Sequence, residues 1–263
     1  MAESAETLPF LVVDGDAFVP QPHARSPWSK DMLHGRILGG LLARTVEREH
    51  GDPDFHFARL TVDLFRNTPL VPLRVSTNRV RDGRRVRVVD AVVTSEQGPV
   101  GRASAVLLRR GEQPPGEVWA APVWEMPPPE RLGPPVPASN GWEPPMLLWR
   151  TTPWQSKERS RVWIREIHPL VEGEELTPFT RVALAAEFVS PLTHMGSDGL
   201  HFINADYTLC LSRLPKSDLI GMESNGHLSD EGVAVGQCTL YDESGPIGFG
   251  AVAAVANSVN VRL

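Results

Sequence analysis

Glu187 is the one acid in the run Phe179, Val182, Ala183, Leu184, Ala185, Ala186, Phe188 and Val189, where Arg181 is the only other charge. That spacing predicts a helix apolar over most of its surface, so the carboxylate loses its water. Desolvation raises a carboxyl pKa and makes the group a better base near neutral pH. A second chemical signal is Gly39-Gly40, at the start of another helix-spaced run. Backbone N–H groups at a helix start lack intrahelical acceptors and suit an oxyanion, while glycines there equally suit close helix–sheet packing. His34 precedes that helix and either caps it or touches a ligand. Asn204, Asp206 and Thr208 alternate with Ala205 and Tyr207, which puts the polar three on one strand face, the pattern of a solvated surface. Asp206 reads equally as a structural hydrogen-bonding group or a chemical one. His194 and His201 flank a glycine-containing loop that also holds Asp198, a second-rank acid.

The elements that position these groups are written twice. Glu96-Gln97-Gly98-Pro99-Val100-Gly101 returns 147 positions later, 96 to 243, as Glu243-Ser244-Gly245-Pro246-Ile247-Gly248. The same offset carries Thr61 onto Thr208, Arg66 onto Arg213, and Leu38 onto Ala185. It is far longer than a solenoid period, so the chain is one small unit repeated once. Each copy reads as a helix followed by four strands. The first has a helix from about 37 to Gly51, then strands at about 55–65, 72–82, 84–95 and 99–109, with Asp82-Gly83 as a hairpin signal. The second has a helix at about 178–190 and strands at about 202–213, 218–227, 232–242 and 246–260. Extra strands are expected around 11–20 and 147–167. Ala58, Leu60, Val62 and Leu64 should face the core, as should Ala205, Tyr207, Leu209 and Leu211. Between the copies, residues 111–145 hold eleven of the 25 prolines, an extended linker. Its Trp119, Trp124 and Trp142 predict that it lies along the domain surface.

Composition excludes several classes. A net charge of −6 argues against a nucleic-acid surface. The basic run Arg79 to Arg87 falls on the expected hairpin and reads as solvated. No apolar run is long enough to span a bilayer. Cys210 and Cys238 have no metal-ligand spacing and fit a reducing compartment, so the expectation is a cytoplasmic protein. No residue pattern calls for a metal, nucleotide or flavin cofactor.

In order and spacing, His34-Gly35-Arg36-Ile37-Leu38-Gly39-Gly40, Arg81-Asp82-Gly83-Arg84-Arg85, Phe202-Ile203-Asn204-Ala205-Asp206-Tyr207-Thr208-Leu209 and Leu240-Tyr241-Asp242-Glu243-Ser244-Gly245 resemble the double-hotdog acyl-CoA thioesterase II family and its thioesterase-like relatives. The resemblance covers nearly the whole chain. It implies an α+β fold in which a curved antiparallel sheet wraps a long central helix, twice, with the sheets joined edge to edge. It implies hotdog units at 1–112 and 146–263, a linker at 113–145, an acyl-CoA substrate and a possible homo-oligomer. Well-studied members hydrolyse acyl-CoA with an Asp, a Thr and a Gln of the second copy that hold and activate water. Here Glu187 stands at the Asp position, Asn204 at the Thr position, and Ala253 at or beside the Gln. The resemblance thus assigns catalysis to Glu187 and Asn204, while Gly39, Gly40, His34 and Asp206 are expected substrate contacts from their own positions at the helix start and on the strand. The missing Gln supports a rival, a non-catalytic acyl-CoA binding protein. Hydratases share the fold, but neither helix carries an Asp-x4-His arrangement.

Overall fold

A computed structural model describes residues 8–137 and 145–261. The chain opens with a hairpin of β1 (Leu11–Asp14) and β2 (Ala17–Pro20), then a second hairpin of β3 (Arg25–Ser26) and β4 (Ser29–Leu33). The first repeat follows as α1 (Gly35–His50), β5 (Phe55–Leu64), β6 (Arg74–Asp82), β7 (Val86–Ser95) and β8 (Gly98–Arg109). The connecting segment holds one helical turn, α2 (Pro129–Leu132), and leads to β9 (Met146–Arg150) and β10 (Arg161–Glu166). The second repeat is α3 (Pro178–Ala186), α4 (Val189–His194), β11 (Met195–Gly196), β12 (Gly199–Asn204), β13 (Asp206–Leu211), β14 (Leu219–Asp230), β15 (Val233–Asp242) and β16 (Gly245–Val261).

The main strands form one sheet in the order β6-β7-β8-β5-β13-β16-β15-β14-β10-β9, with β12 also on β16. The halves join where β5 pairs antiparallel with β13. There Thr61 faces Thr208, its own counterpart in the repeat, and their hydroxyls lie 3.1 Å apart. Leu60 faces Leu209 and Val62 faces Tyr207, so an approximate twofold axis passes between the two threonines. This pairing removes an exposed edge from each half. Gly98 and Gly245, matched by the repeat, open β8 and β16 with φ of 100° and 120°, a region open to glycine at no steric cost. The result is the expected double hotdog.

The apolar helix faces form the core. Ile37, Leu38, Leu41, Leu42 and Val46 of α1 pack with Leu60, Val62, Val89, Ala91 and Ala105 of the first half's strands. In the second half α4 lies on β14 and β15, while α3 packs chiefly on α1. The proline-rich segment lies partly against the sheet: Trp124 stacks on Tyr241 at 4.3 Å and meets Trp163 edge-on at 4.9 Å. Trp163 Nε1 donates to the Pro127 carbonyl at 2.9 Å. Trp119 is exposed instead, and Trp142 lies outside the described residues.

Three local expectations are corrected. The Asp82-Gly83 hairpin forms, but its tip is Arg84-Arg85, closed by Gly83 N–H on the Val86 carbonyl at 3.0 Å. The helix expected at 178–190 is two helices that break at Glu187. Pro191 supplies the reason: it has no N–H for the Glu187 carbonyl, and a proline ring clashes with the carbonyl four residues back. Ser190 N–H takes that carbonyl instead, at 3.1 Å. Finally, the strand expected at 202–213 bends at Ala205, and the pairing with β16 shifts by one residue across the bend. Ala205 is exposed, whereas Asn204 and Tyr207 both point inward. The first copy has the matching irregularity at Ala58, between Phe57 and Arg59.

Candidate active site

The break after α3 and the bend after β12 bring two polar side chains to one buried place. Glu187 is 6% exposed and Asn204 is 9% exposed. The Asn204 amide lies close enough to act on the Glu187 carboxyl. Burial pushes the Glu187 carboxyl up to about 7, against the opposing pull of the Arg36 guanidinium and of Asn204. A carboxyl tuned near neutrality can accept a proton and return it. Asn204 therefore does not lie on a solvated face, because the one-residue shift at Ala205 turns its side chain inward.

The start of α1 closes the site from the first repeat. His34 is the N-cap of α1, and its Nδ1 accepts from Arg36 N–H at 3.4 Å. The same nitrogen lies 3.8 Å from Glu187 Oε2. Burial, with the nearby Arg36 charge, lowers the His34 pKa to about 3, so the ring is neutral and carries its proton on Nε2. Gly35, the first residue of α1, packs so closely that a Cβ there would stand 3.5 Å from Glu187 Oε1. Its N–H is one of the four at a helix start with no intrahelical acceptor. Beneath, Arg36 is fully buried and donates to Glu166 of β10 and, at 3.5 Å, to the Leu184 carbonyl. This ion pair ties α1 to the second repeat.

Two adjoining cavities meet at these residues. One, of about 200 Å³, is lined by Arg66, Asn67 and Thr68 together with Gly35 and the apolar Met32, Leu38, Leu64, Phe65 and Ile203. The other, of about 30 Å³, is apolar, with Met146, Phe188 and Leu200 in its wall. Glu187, Asn204, His34 and Trp28 line both. Glu187 accordingly faces a partly apolar pocket between the repeats.

Other expected residues lie elsewhere. Gly39 and Gly40 are inside α1, not at its start: a Cβ on Gly39 would overlap the Tyr207 hydroxyl, and one on Gly40 would overlap Leu184. Their hydrogen atoms are packing surface; the helix-start residue beside Glu187 is Gly35. The Asp206 side chain lines neither cavity; its Oδ1 accepts from Ala253 N–H at 2.6 Å, and its carbonyl accepts from Asn204 Nδ2 at 3.3 Å. It holds the bend and with it Asn204. Ala253 likewise lines neither cavity. His194 and His201 line a separate groove of about 540 Å³, where His194 Nδ1 meets His227 Nδ1 at 2.8 Å. Asp198 is exposed and faces His201 at 3.3 Å. Sequence reasoning missed Gly35, though the His34-Gly35-Arg36 string was in view, and it missed Trp28, which no periodicity marks. Among the described residues no cluster of three or more His, Cys, Asp or Glu is arranged to hold a metal.

Family models match both halves: the acyl-CoA thioesterase N-terminal domain over residues 24–108, and the acyl-CoA thioesterase C-terminal domain over residues 117–251. No curated protein sequence matches the chain. Solved structures of the same fold include a candidate thioesterase II from Thermobifida fusca, 15% identical with a TM-score of 0.72, the match covering 96% of this chain and 95% of that one. A candidate thioesterase from Novosphingobium aromaticivorans is 22% identical with a TM-score of 0.71, covering 95% and 100%. Acyl-CoA thioesterase II TesB2 from Mycobacterium marinum is 15% identical with a TM-score of 0.62, covering 87% and 91%.

Proposed function

The chain belongs to the acyl-CoA thioesterase family, and from that premise we propose that it hydrolyses an acyl-CoA thioester at Glu187. The observation that carries this reading is the buried Glu187 carboxyl, held near neutral pKa beside Asn204 and the start of α1, facing a cavity between the repeats. Glu187 takes a proton from water as the water oxygen bonds to the thioester carbonyl carbon. Asn204 holds that water or donates to the carbonyl oxygen. The Gly35 N–H, with the positive end of the α1 dipole behind it, meets the negative charge that forms on the oxygen. One such donor is typically worth roughly 3–4 kcal/mol in the transition state. As the tetrahedral species collapses, the C–S bond breaks and Glu187 returns its proton to the CoA sulfur. His34, neutral and capping α1, keeps the donor aimed.

The thiols fit this setting: Cys210 and Cys238 are both free, which suits the cytoplasm, and no helix among the described residues is long and apolar enough to cross a membrane. The test uses purified protein, acyl-CoAs and a thiol-detecting reagent. Glu187→Gln should lose about 10²–10⁴-fold in kcat/KM while remaining folded. The second reading, an acyl-CoA binding protein without catalysis, draws on Ala253, which brings no second water-holding side chain to the cavity. Saturable acyl-CoA binding with no CoA release would establish it.

A further inference from the structure

We propose that Trp28 restricts this site to short acyl groups, making the substrate a short-chain acyl thioester. The inference rests on the hydrolase reading above. The thioester carbonyl must sit beside Glu187, where the two cavities meet. The larger cavity is apolar along Met32, Leu38, Leu64 and Phe65 but carries Arg66, Asn67 and Thr68 on one side, which suits the amide-bearing arm of a CoA thioester. The smaller has an apolar wall, which suits the acyl chain. Its space of about 30 Å³ sets the length. A cavity needs roughly 10–15 Å³ to admit one water-sized group, so only about two or three methylenes fit beyond the carbonyl.

The far walls cannot yield easily. Met146, Phe188 and Leu200 are all buried in the main core, where close packing leaves no room to deepen the pocket. Trp28 is different. It stands at the two-residue tip of the β3–β4 hairpin, is only partly buried, and lines both cavities. Its backbone N–H donates to Ser26 Oγ at 3.2 Å, which helps fix the tip. Lining both, the indole stands where the two cavities adjoin, so that a smaller side chain would open the small one into the larger.

Saturated acyl-CoAs from acetyl to dodecanoyl, assayed by CoA release, test this. Wild type should prefer acyl groups of about four carbons or fewer, with kcat/KM falling by roughly tenfold or more by octanoyl, since one misfitted methylene is worth about that much. Trp28→Ala should raise the octanoyl-to-butyryl ratio by about tenfold or more. Trp28→Leu, which keeps an apolar plug, should raise it less, and it serves should the alanine variant fail to fold. Equal or better turnover of dodecanoyl-CoA by wild type overturns the proposal, as does an unchanged ratio in a folded variant. If no thioester is cleaved, the hydrolase reading fails by itself. Calorimetric titration with the same series then decides the pocket: tighter binding of short acyl groups supports the proposal, and tighter binding of long ones ends it.

Discussion

At Glu187 the burial that makes a base also strains the fold, and the two effects have opposite pH signs. The carboxyl ionises near 4.5 when unfolded and near 7 when folded. Between those values the folded state binds more protons than the unfolded one, so stability falls as pH rises through this window. Activity runs the other way, because only the ionised carboxylate accepts a proton. We expect kcat/KM to rise with pH around a midpoint near 7, and Glu187→Gln to raise the melting temperature at pH 8 but hardly at pH 4. A variant no more stable than wild type at pH 8 would show that the carboxyl is not desolvated as described. Gly39 offers a second contest of signs at residue scale. Alanine is favoured over glycine in a helix by about 1 kcal/mol. Here the added methyl would meet the Tyr207 hydroxyl, itself held by the Ala183 carbonyl at 3.0 Å. Overpacking of this kind costs about 1–3 kcal/mol, so Gly39→Ala should lower the melting temperature. Gly40→Ala should lower it as well, since Leu184 Cδ2 and Cγ, fully buried, would stand 2.5 and 2.9 Å from the new methyl. A melting temperature equal to that of wild type in either variant would contradict the packing role given to that glycine.

Elements set where these residues point, and two breaks in regular structure matter most. One is the end of α3, which Pro191 imposes on Glu187. The other is the bend at Ala205, held because Asp206 accepts the Ala253 N–H. Asp206→Ala should leave that N–H unpaired and cost about 1–3 kcal/mol. It should also lower kcat more than it changes KM, by freeing Asn204 from its position; unaltered kcat in a destabilised variant would limit Asp206 to stability. These breaks mark the boundary of what sequence reading reached. The strands β5 to β8 and β14 to β16 were legible within two or three residues, because alternation and turn glycines act locally. The buried Glu187 was legible from one acid in an apolar run. The inward turn of Asn204 was not, since strict alternation assigns it to the outside and only the one-residue shift against β16 reverses it. Gly35 and Trp28 escaped for another reason: their roles depend on α1 and the β3–β4 hairpin meeting residues of the other repeat, which no local pattern encodes.

Across the whole molecule the repeat is symmetric in its sheet and asymmetric in its chemistry. The axis between Thr61 and Thr208 relates β5 to β13, so any site built by one copy has a geometric counterpart in the other. The 147-residue offset places Gly40 where the second copy has Glu187, and Phe57 where it has Asn204. Neither can act on water. Gly40 is pressed against Leu184, and Phe57 stacks on Phe179 at 4.3 Å, so apolar packing takes the places of the acid and the amide, while a cavity of about 370 Å³ between α1 and the start of α3 is lined by Arg44, Glu47, Arg48, Glu174, Thr177 and Thr180. The nearby ends of α1 and α3 are further tied by Arg44 and Arg48 to Glu174 and by Thr177 and Thr180 to Glu47. The first copy therefore spends its helix on supporting the site: its N-terminus supplies His34 and Gly35, and its buried Arg36 pairs with Glu166. On the proposed function, this division predicts one substrate site per chain. Titration of Glu187→Gln with a slowly hydrolysed acyl-CoA should saturate at about one equivalent per chain, and Phe57→Asn should not create a second equivalent, because Gly40 still lacks a carboxylate. A stoichiometry near two would mean that the first-copy counterpart opens to ligand despite the Phe57–Phe179 stack, and the assignment of separate supporting and chemical roles to the two repeats would fall.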